Sequence, residues 1–278
     1  MAEPPTGTWR KPAFWGMQQA SAFQDSSVVG AYQYRPPYPA ALFEVLGRLL
    51  RAGGRPARVL DLGCGTGLIA RRLVEVAEHV DALDVSAPML ALAKRLPGGD
   101  DARLRWIMGR AEDAPLEPPY ALTVAAASLH WMDWSVVLPR LADVLTPSGV
   151  LAIVDNDEEA PPWRAALVPI IRGYSTNPGL NLGYDWLGEI ARQGWFRPLG
   201  RAQTPPVVFE QSLADYIASF HGRASFSRER MGDQQAAAFD AEVRALVAPY
   251  AGETVSLRVF ARVVWGRPHA CDPGVASG

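Results

Sequence analysis

Cysteine is scarce: Cys64 and Cys271 are the only two in 278 residues. A disulfide framework cannot be built from them, which excludes a small stapled scaffold. Histidine is scarce too, at four residues. Neither the histidines nor the cysteines fall at metal-ligand spacing, so no metal is expected. No apolar run reaches the roughly 18 residues of a spanning helix, and the first 16 residues hold no apolar signal segment. An excess of one charge is also missing. Lys and Arg total 27 against 29 Asp and Glu, a net charge of −2, which offers no electrostatic footprint for nucleic acid or an anionic membrane. The expectation is a cytoplasmic globular protein with a small-molecule partner, as monomer or homodimer.

What is present is punctuation and periodicity. Glycine (25) and proline (24) mark turns rather than low complexity. Residues 1–22 show no period and read as an arm. Residues 39–51 carry apolar residues at helical spacing (Leu42, Val45, Leu46, Leu49, Leu50) before Gly53 and Gly54 stop the helix. Short apolar strands are expected at 58–62, 79–85, 103–108, 120–128 and 149–154, with helices at 68–77, 86–96 and 134–145 between them. Ser86 is placed to cap one of these helices, with Pro88 in its first turn. Strands alternating with helices specify βαβ units. The expected fold is α/β, a Rossmann-like doubly wound sheet of seven mostly parallel strands. Residues 156–184, rich in Pro, Trp, Tyr and Asn, break the rhythm and read as a helical cap or lid insertion. A helix at 185–192, strands at 201–209 and 255–265 with helices between them, and a frayed tail at 268–278 complete the chain.

Residues 59–68, ValLeuAspLeuGlyCysGlyThrGlyLeu, form a strand, a glycine turn and a helix start. Gly63, Gly65 and Gly67 lack Cβ atoms, so a ligand can lie against bare peptide near unpaired helix N–H groups. The same glycines would also serve a purely structural turn. Asp84, at the end of the next strand, is placed to hydrogen-bond ribose hydroxyls, or else to assist the cap at Ser86. A dinucleotide fingerprint needs its third glycine where Leu68 stands. Asp61, on the strand itself, would repel a pyrophosphate and suits a cation. S-adenosylmethionine, with a sulfonium and an ammonium, fits; NAD does not. An NAD-binding oxidoreductase and a non-catalytic S-adenosylmethionine-binding protein are the alternatives.

The chain resembles the class I S-adenosylmethionine-dependent methyltransferases, in particular small-molecule enzymes of the trans-aconitate methyltransferase type. ValLeuAspLeuGlyCysGlyThrGly is similar to their first motif and residues 82–94 to their second. Residues 109–116 resemble the adenine-contacting segment, residues 128–134 (SerLeuHisTrpMetAspTrp) the segment after strand four, and residues 23–39 the N-terminal segment. The resemblance is good over 23–155, weaker over 185–265 and absent over 156–184. It implies one methyltransferase domain over 23–267. It also implies a cofactor site made by Tyr32, Arg35, Asp61, Gly63, Cys64, Gly65, Gly67, Asp84, Val85, Met89, Ala111, Glu112, Ser128 and Trp131. Tyr32 and Arg35 would close over the cofactor, Arg35 facing its carboxylate. One departure is Arg110, which stands where many relatives carry an acid and cannot accept from the adenine amino group. That role passes to Glu112 or to backbone near Ala111.

Methyl transfer from a sulfonium expels a neutral thioether, so alignment and water exclusion supply much of the rate. A hydroxyl acceptor gains from a general base. His130, just after strand four, is the candidate base, with Tyr32 beside it; packing against Trp131 is the alternative. Cys64 reads as a small apolar filler of the turn. Tyr38, Trp163, Tyr174 and His221 are the candidate substrate residues, the two in the insertion forming a lid over an apolar or aromatic acceptor, with packing or a dimer contact as the alternative. The predicted activity is methyl transfer to a small organic molecule, to oxygen before nitrogen and carbon, in specialised metabolism.

Overall fold

The computed structural model describes residues 11–269 apart from 178, 180 and 182. The first ten residues of the expected arm and nearly all of the expected tail, with Cys271, lie outside the described residues. Eight strands form one sheet: β1 (Arg58–Leu62), β2 (His79–Asp84), β3 (Leu104–Met108), β4 (Tyr120–Ala126), β5 (Leu145–Glu158), β6 (Phe196–Gln203), β7 (Val207–Ser212) and β8 (Thr254–Pro268). Their order is β3-β2-β1-β4-β5-β8-β6, with β7 also on β8. The β1–β2, β1–β4, β2–β3 and β4–β5 pairs are parallel, and β8 runs antiparallel to β5, β6 and β7. Strand order reverses between β1 and β4, the place where open α/β sheets bind ligands at their carboxyl ends.

Both sheet faces are covered, which explains the continuous apolar runs. Alternation along β1 sends Val59 into a core with Leu42, Leu46 and Leu50 of the Ala40–Ala52 helix. Leu60 and Leu62 point the other way, into a core with Trp134 and Leu138 of the Trp134–Val144 helix. Ser86 caps the Ala87–Ala93 helix as expected, accepting a hydrogen bond from the Met89 N–H.

Three expectations are revised. The sixth strand divides into β6 and β7 because Thr204, Pro205 and Pro206 interrupt it; proline has no N–H to give the ladder. Both pieces pair with β8, so seven expected strands become eight. The expected helix over 68–77 contracts to Ala70–Leu73, the rest of the segment being turn. Strand β5 continues to Glu158, past the expected break after Asp155, because β8 pairs with it as far as Glu158↔Val259.

A third core stands apart at the far end of β8. Trp163, Leu167 and Ile171 pack there with Tyr216 and Phe220 of the Leu213–His221 helix and with Phe239 and Val243 of the Asp233–Ala251 helix. Val255, Leu257 and Val259 of β8 form its floor. The helical layer therefore comes from two chain segments, one between β5 and β6 and one between β7 and β8. In the arm, Trp15 is buried against His130, Trp134, Tyr184 and Trp186. No helix among the described residues is long and apolar enough to cross a membrane.

Candidate functional site

The chain leaves β1 in a turn whose glycines 63, 65 and 67 all have positive φ. Two of them have different reasons to lack a Cβ. At Gly65 an added Cβ would stand 3.3 Å from the Tyr32 hydroxyl oxygen, so the missing atom admits Tyr32 to the turn. At Gly67 it would stand 2.4 Å from the Trp106 ring of β3, so the missing atom admits a neighbouring side chain. Gly67 serves packing, and it lines neither of the two cavities described below.

Asp84, at the end of β2, is held by the turn it faces. Its Oδ2 accepts from the Gly65 N–H at 2.7 Å and its Oδ1 from the Ser86 N–H at 2.7 Å. Burial raises its pKa while these backbone bonds oppose the rise. Asp61 is more isolated. Its Oδ2 accepts from the Ala70 N–H at 3.0 Å, its Oδ1 has no hydrogen-bond partner, and the residue is 1% exposed. Burial, reinforced by the negative charge of Asp84, pushes its pKa up to about 7.

A cavity of about 210 Å³ lies over this switch point. Gly63, Gly65 and Asp84 form its floor. Val85, Met89, Ala111, Glu112, Ser128, Trp131, Tyr32 and Arg35 line it as well. The Ser128 hydroxyl donates to the Leu62 carbonyl at 2.5 Å, which fixes the segment after β4 against the turn. Glu112 accepts from the Asp133 N–H at 2.8 Å and stands 3.4 Å from the Arg110 Nε, so the departing Arg110 orients the neighbouring acid.

Several wall residues escaped the sequence reading. Phe23 and Gln24 line the cavity. The Gln24 Nε2 donates to the Val85 carbonyl at 2.9 Å, and the Ser86 hydroxyl donates to the Phe23 carbonyl at 2.7 Å, fastening the N-terminal segment over the end of β2. Ala127 lines it too and has φ of 50°, a conformation L-residues rarely adopt. Among the described residues it is the one non-glycine with positive φ. Phe23 and Gln24 open the 23–39 segment but are not singled out within it, and an alanine such as Ala127 carries no signal in sequence.

A second cavity, of about 340 Å³, shares Tyr32 and Arg35 with the first. Tyr38, Asn156, Asp157, Glu158, Arg164 and Arg223 line it. Of the expected substrate residues, only Tyr38 is there; burial raises its hydroxyl pKa.

The other expected site residues are not brought to either cavity. Cys64 is a buried filler whose thiol pKa burial raises well above the usual range. Trp163 is core, its Nε1 donating to the Tyr216 hydroxyl at 3.0 Å. Tyr174 donates to Glu242 at 2.6 Å and packs edge-on against Phe239. His221 is clamped, one ring nitrogen 2.7 Å from the Phe226 carbonyl and the other 2.7 Å from Asp240. These three fail for one reason: their segments fold into the third core rather than over the sheet edge. His130, the expected base, lies half-buried among Trp15, Trp131 and Trp186, its ring plane tilted 46–57° to theirs. Burial, with the charges of Lys11 and Arg35 adding, lowers its pKa to about 3. It lines neither cavity and is a poor proton acceptor, so the expectation of a general base there is revised to packing support for Trp131.

Comparison with known proteins finds methyltransferases. Residues 59–149 match a family model described as a methyltransferase domain. An uncharacterised methyltransferase of Mycobacterium tuberculosis is 40% identical over 149 residues, which are 52% of this chain and 57% of the relative. A trans-aconitate 2-methyltransferase of Pseudomonas aeruginosa is 40% identical over 116 residues, 40% of this chain and 38% of that protein. The chain thus spans little more than half the length of the mycobacterial relative. A solved structure from Anaeromyxobacter dehalogenans, provisionally assigned as a type II methyltransferase, is 26% identical with a TM-score of 0.54 over 84% of this chain and 99% of that one. The resemblance to class I methyltransferases stands, and the mixed, mostly parallel sheet with flanking helices is their Rossmann-like fold.

Proposed function

We propose that this chain is an S-adenosylmethionine-dependent methyltransferase acting on a small organic molecule, at oxygen in preference to nitrogen and carbon. One observation carries the reading. The Asp84 carboxylate, bonded to the glycine turn, stands in the wall of a recess at the switch point, and a second chamber adjoins that recess across Tyr32 and Arg35.

The residues fit this donor. The orphaned, buried Oδ1 of Asp61 calls for a cation nearby. A pyrophosphate would instead lie over the buried Asp61 carboxylate behind the turn. When bound, S-adenosylmethionine supplies an electrophilic methyl group whose departure leaves a neutral thioether. Asp84 accepts from the ribose hydroxyls through the lone pairs not used by Gly65 and Ser86. Arg35 pairs with the ligand carboxylate, its guanidinium set by stacking over the Tyr32 ring at 5.0 Å. Val85 and Met89 provide apolar contact for adenine, and Glu112 with the backbone at Ala111 faces its polar edge. Tyr32 and Trp131 exclude water from the transfer, and the Tyr32 hydroxyl is the polar group placed at the junction of the two chambers. Asp61 and Cys64 act from behind the turn.

Isothermal calorimetry with S-adenosylmethionine, S-adenosylhomocysteine and NAD tests the reading. Saturable heat is expected with the first two and none with NAD. Saturation by NAD alone would return the chain to the oxidoreductase alternative. Binding without turnover over a broad acceptor panel would favour a non-catalytic binding protein.

A further inference from the structure

The N-terminal part of the first chamber's wall is fastened to two different parts of the molecule. The neutral bonds of Gln24 to Val85 and of Ser86 to Phe23 tie it to the end of β2. A second set ties it to residues 227–230 of the helical layer, about 200 positions further along the chain. This second set is charged and reciprocal. Asp25, the carboxylate of the N-terminal segment, accepts from the Arg230 Nε at 2.7 Å and from the Ser227 hydroxyl at 2.6 Å. Glu229, the carboxylate of the layer, accepts from the Ser26 hydroxyl at 2.8 Å, the Ser27 N–H at 2.9 Å and the Ser27 hydroxyl. Arg230 gives two further donors to the segment, Nη1 to the Gln18 carbonyl at 2.7 Å and Nη2 to the Ser21 hydroxyl at 2.9 Å. The Arg228 N–H donates to the Ser27 hydroxyl at 3.0 Å.

The place of this cluster in the chain matters more than its bond count. Ser26 and Ser27 open the Ser26–Ala31 helix, whose N-cap residue, Asp25, makes no side-chain cap of its own. Glu229 supplies that cap from the helical layer, satisfying a first-turn N–H with an anion. Desolvation opposes ionisation of Glu229, but the bonds from Ser27 and Ser26 outweigh it and bring its pKa down to about 2. The helix runs directly into Tyr32, and Arg35 follows. On the other side of Asp25, Ala20, Ser21, Phe23 and Gln24 line the first chamber. The cluster thus grips the chain between two stretches of chamber wall, although Glu229 and Arg230 line neither chamber themselves. The remaining wall belongs to strand ends held by sheet pairing. The N-terminal stretch is held by side chains, so it is the part that can separate from the rest.

We propose that Arg230 and Glu229 are positioning residues for the methyl donor: through Asp25, Ser26 and Ser27 they hold the N-terminal wall and the Tyr32–Arg35 stretch in place at the first chamber, and so set how long the donor stays bound. The inference rests on the donor reading above, since that reading makes the first chamber the donor's. A cluster that only joined the helical layer to the sheet would change stability and leave the lifetime of the bound ligand alone. A cluster that holds the separable part of the wall changes the lifetime, because release requires that part to move. Charge-assisted bonds suit the task, being stronger than the neutral pair at β2.

The test is the dissociation rate of S-adenosylhomocysteine from the full-length protein, measured by stopped-flow displacement beside chemical denaturation of the same samples. Arg230→Met and Glu229→Ala are each expected to speed release by about fivefold or more and to weaken affinity in proportion, since such changes fall mainly on the off-rate. Arg230→Lys should do less, because lysine keeps the charge toward Asp25 and loses the fork. Asp25→Asn combined with Arg230→Met should fall short of the product of the single effects, because the two share one contact. Variants that are less stable yet release the ligand within about twofold of the parent's rate would overturn the proposal and leave the cluster a structural joint. Hydrogen exchange on the parent needs no variant to fold. Bound S-adenosylhomocysteine is expected to slow exchange in residues 18–31 and 227–230, and protection confined to the glycine turn would overturn the proposal as well. Failure of S-adenosylhomocysteine to bind the parent would instead sink the donor reading, so the two failures are distinguishable.

Discussion

The two chambers that share Tyr32 and Arg35 are built in opposite ways. The first is assembled from the carboxyl ends of consecutive strands: the turn after β1, Asp84 after β2, Glu112 after β3 and Ser128 after β4. Parallel pairing brings these strand-end contributions together, and Phe23, Gln24, Tyr32 and Arg35 of the N-terminal segment complete the lining. The second is assembled from residues 32, 35, 36, 38, 68, 156–158, 164, 223 and 259. No local rule relates these positions; the β5–β8 pairing and the helical layer over it bring them together. The first chamber is therefore legible from pattern and the second is not.

Four substitutions sharpen this contrast, the largest effect first. Gly67→Ala is expected to cost about 2–5 kcal/mol of stability, because a Cβ at φ of 73° would meet the Trp106 ring at 2.4 Å. Chemical denaturation measures it, and recovery in the Gly67→Ala, Trp106→Leu double variant would assign the clash to that ring. Asp61→Asn is next. Burial raises the folded-state pKa of Asp61 to about 7 from an ordinary carboxylate value of 3.8. Its contribution to stability is thus greatest below the ordinary value and is lost as pH rises toward and through 7. The ligand-free protein should lose about 2–4 kcal/mol from this group between acidic pH and pH 8, and Asp61→Asn should flatten that slope. Because a cation favours the ionised form, affinity for S-adenosylmethionine should rise over the same window in the parent and not in the variant. A parent whose stability is flat from pH 5 to 8 would remove Asp61 from this role.

Asp84→Ala should weaken S-adenosylhomocysteine by about 1.5–3 kcal/mol in calorimetry, the worth of hydrogen bonds to a charged group. Equal affinity in parent and variant would show that Asp84 only braces the glycine turn. His130→Gln should change turnover less than about tenfold and leave the pH profile of kcat in place, against the 10²–10⁴-fold of a working base. Loss of the acid limb, where a general base is protonated and idle, would restore His130 to catalysis.

How much was legible differs by mechanism. The helix at 40–52 and strands β1, β2 and β4 follow from apolar period and glycine or proline stops, because each buries a face that the local pattern encodes. Eleven residues expected to hold the cofactor do line the first cavity, from Tyr32 to Trp131. Gly67 does not, since a glycine needed for ligand access and one needed for a tryptophan look alike in sequence. Trp163, Tyr174 and His221 were misjudged because aromatic and titratable side chains suggest a pocket wherever they occur, whereas these fill or brace the core of the helical layer. Arg223 lies two residues from His221, and nothing in the local sequence says which of the two faces the chamber.

Sequence alone determined the βαβ rhythm, the glycine turn, the carboxylate at the end of β2 and the absence of a metal-ligand pattern. These are short-range consequences of periodicity, backbone freedom and side-chain chemistry. Tertiary structure alone decided that His130 would lie among tryptophans, that both pieces of the sixth strand would pair with β8, and that Arg35 and Arg223 would lie over aromatic rings at one chamber. Those outcomes depend on which distant segments pack together, because desolvation and charge pairing are set by neighbours in space rather than neighbours in the chain.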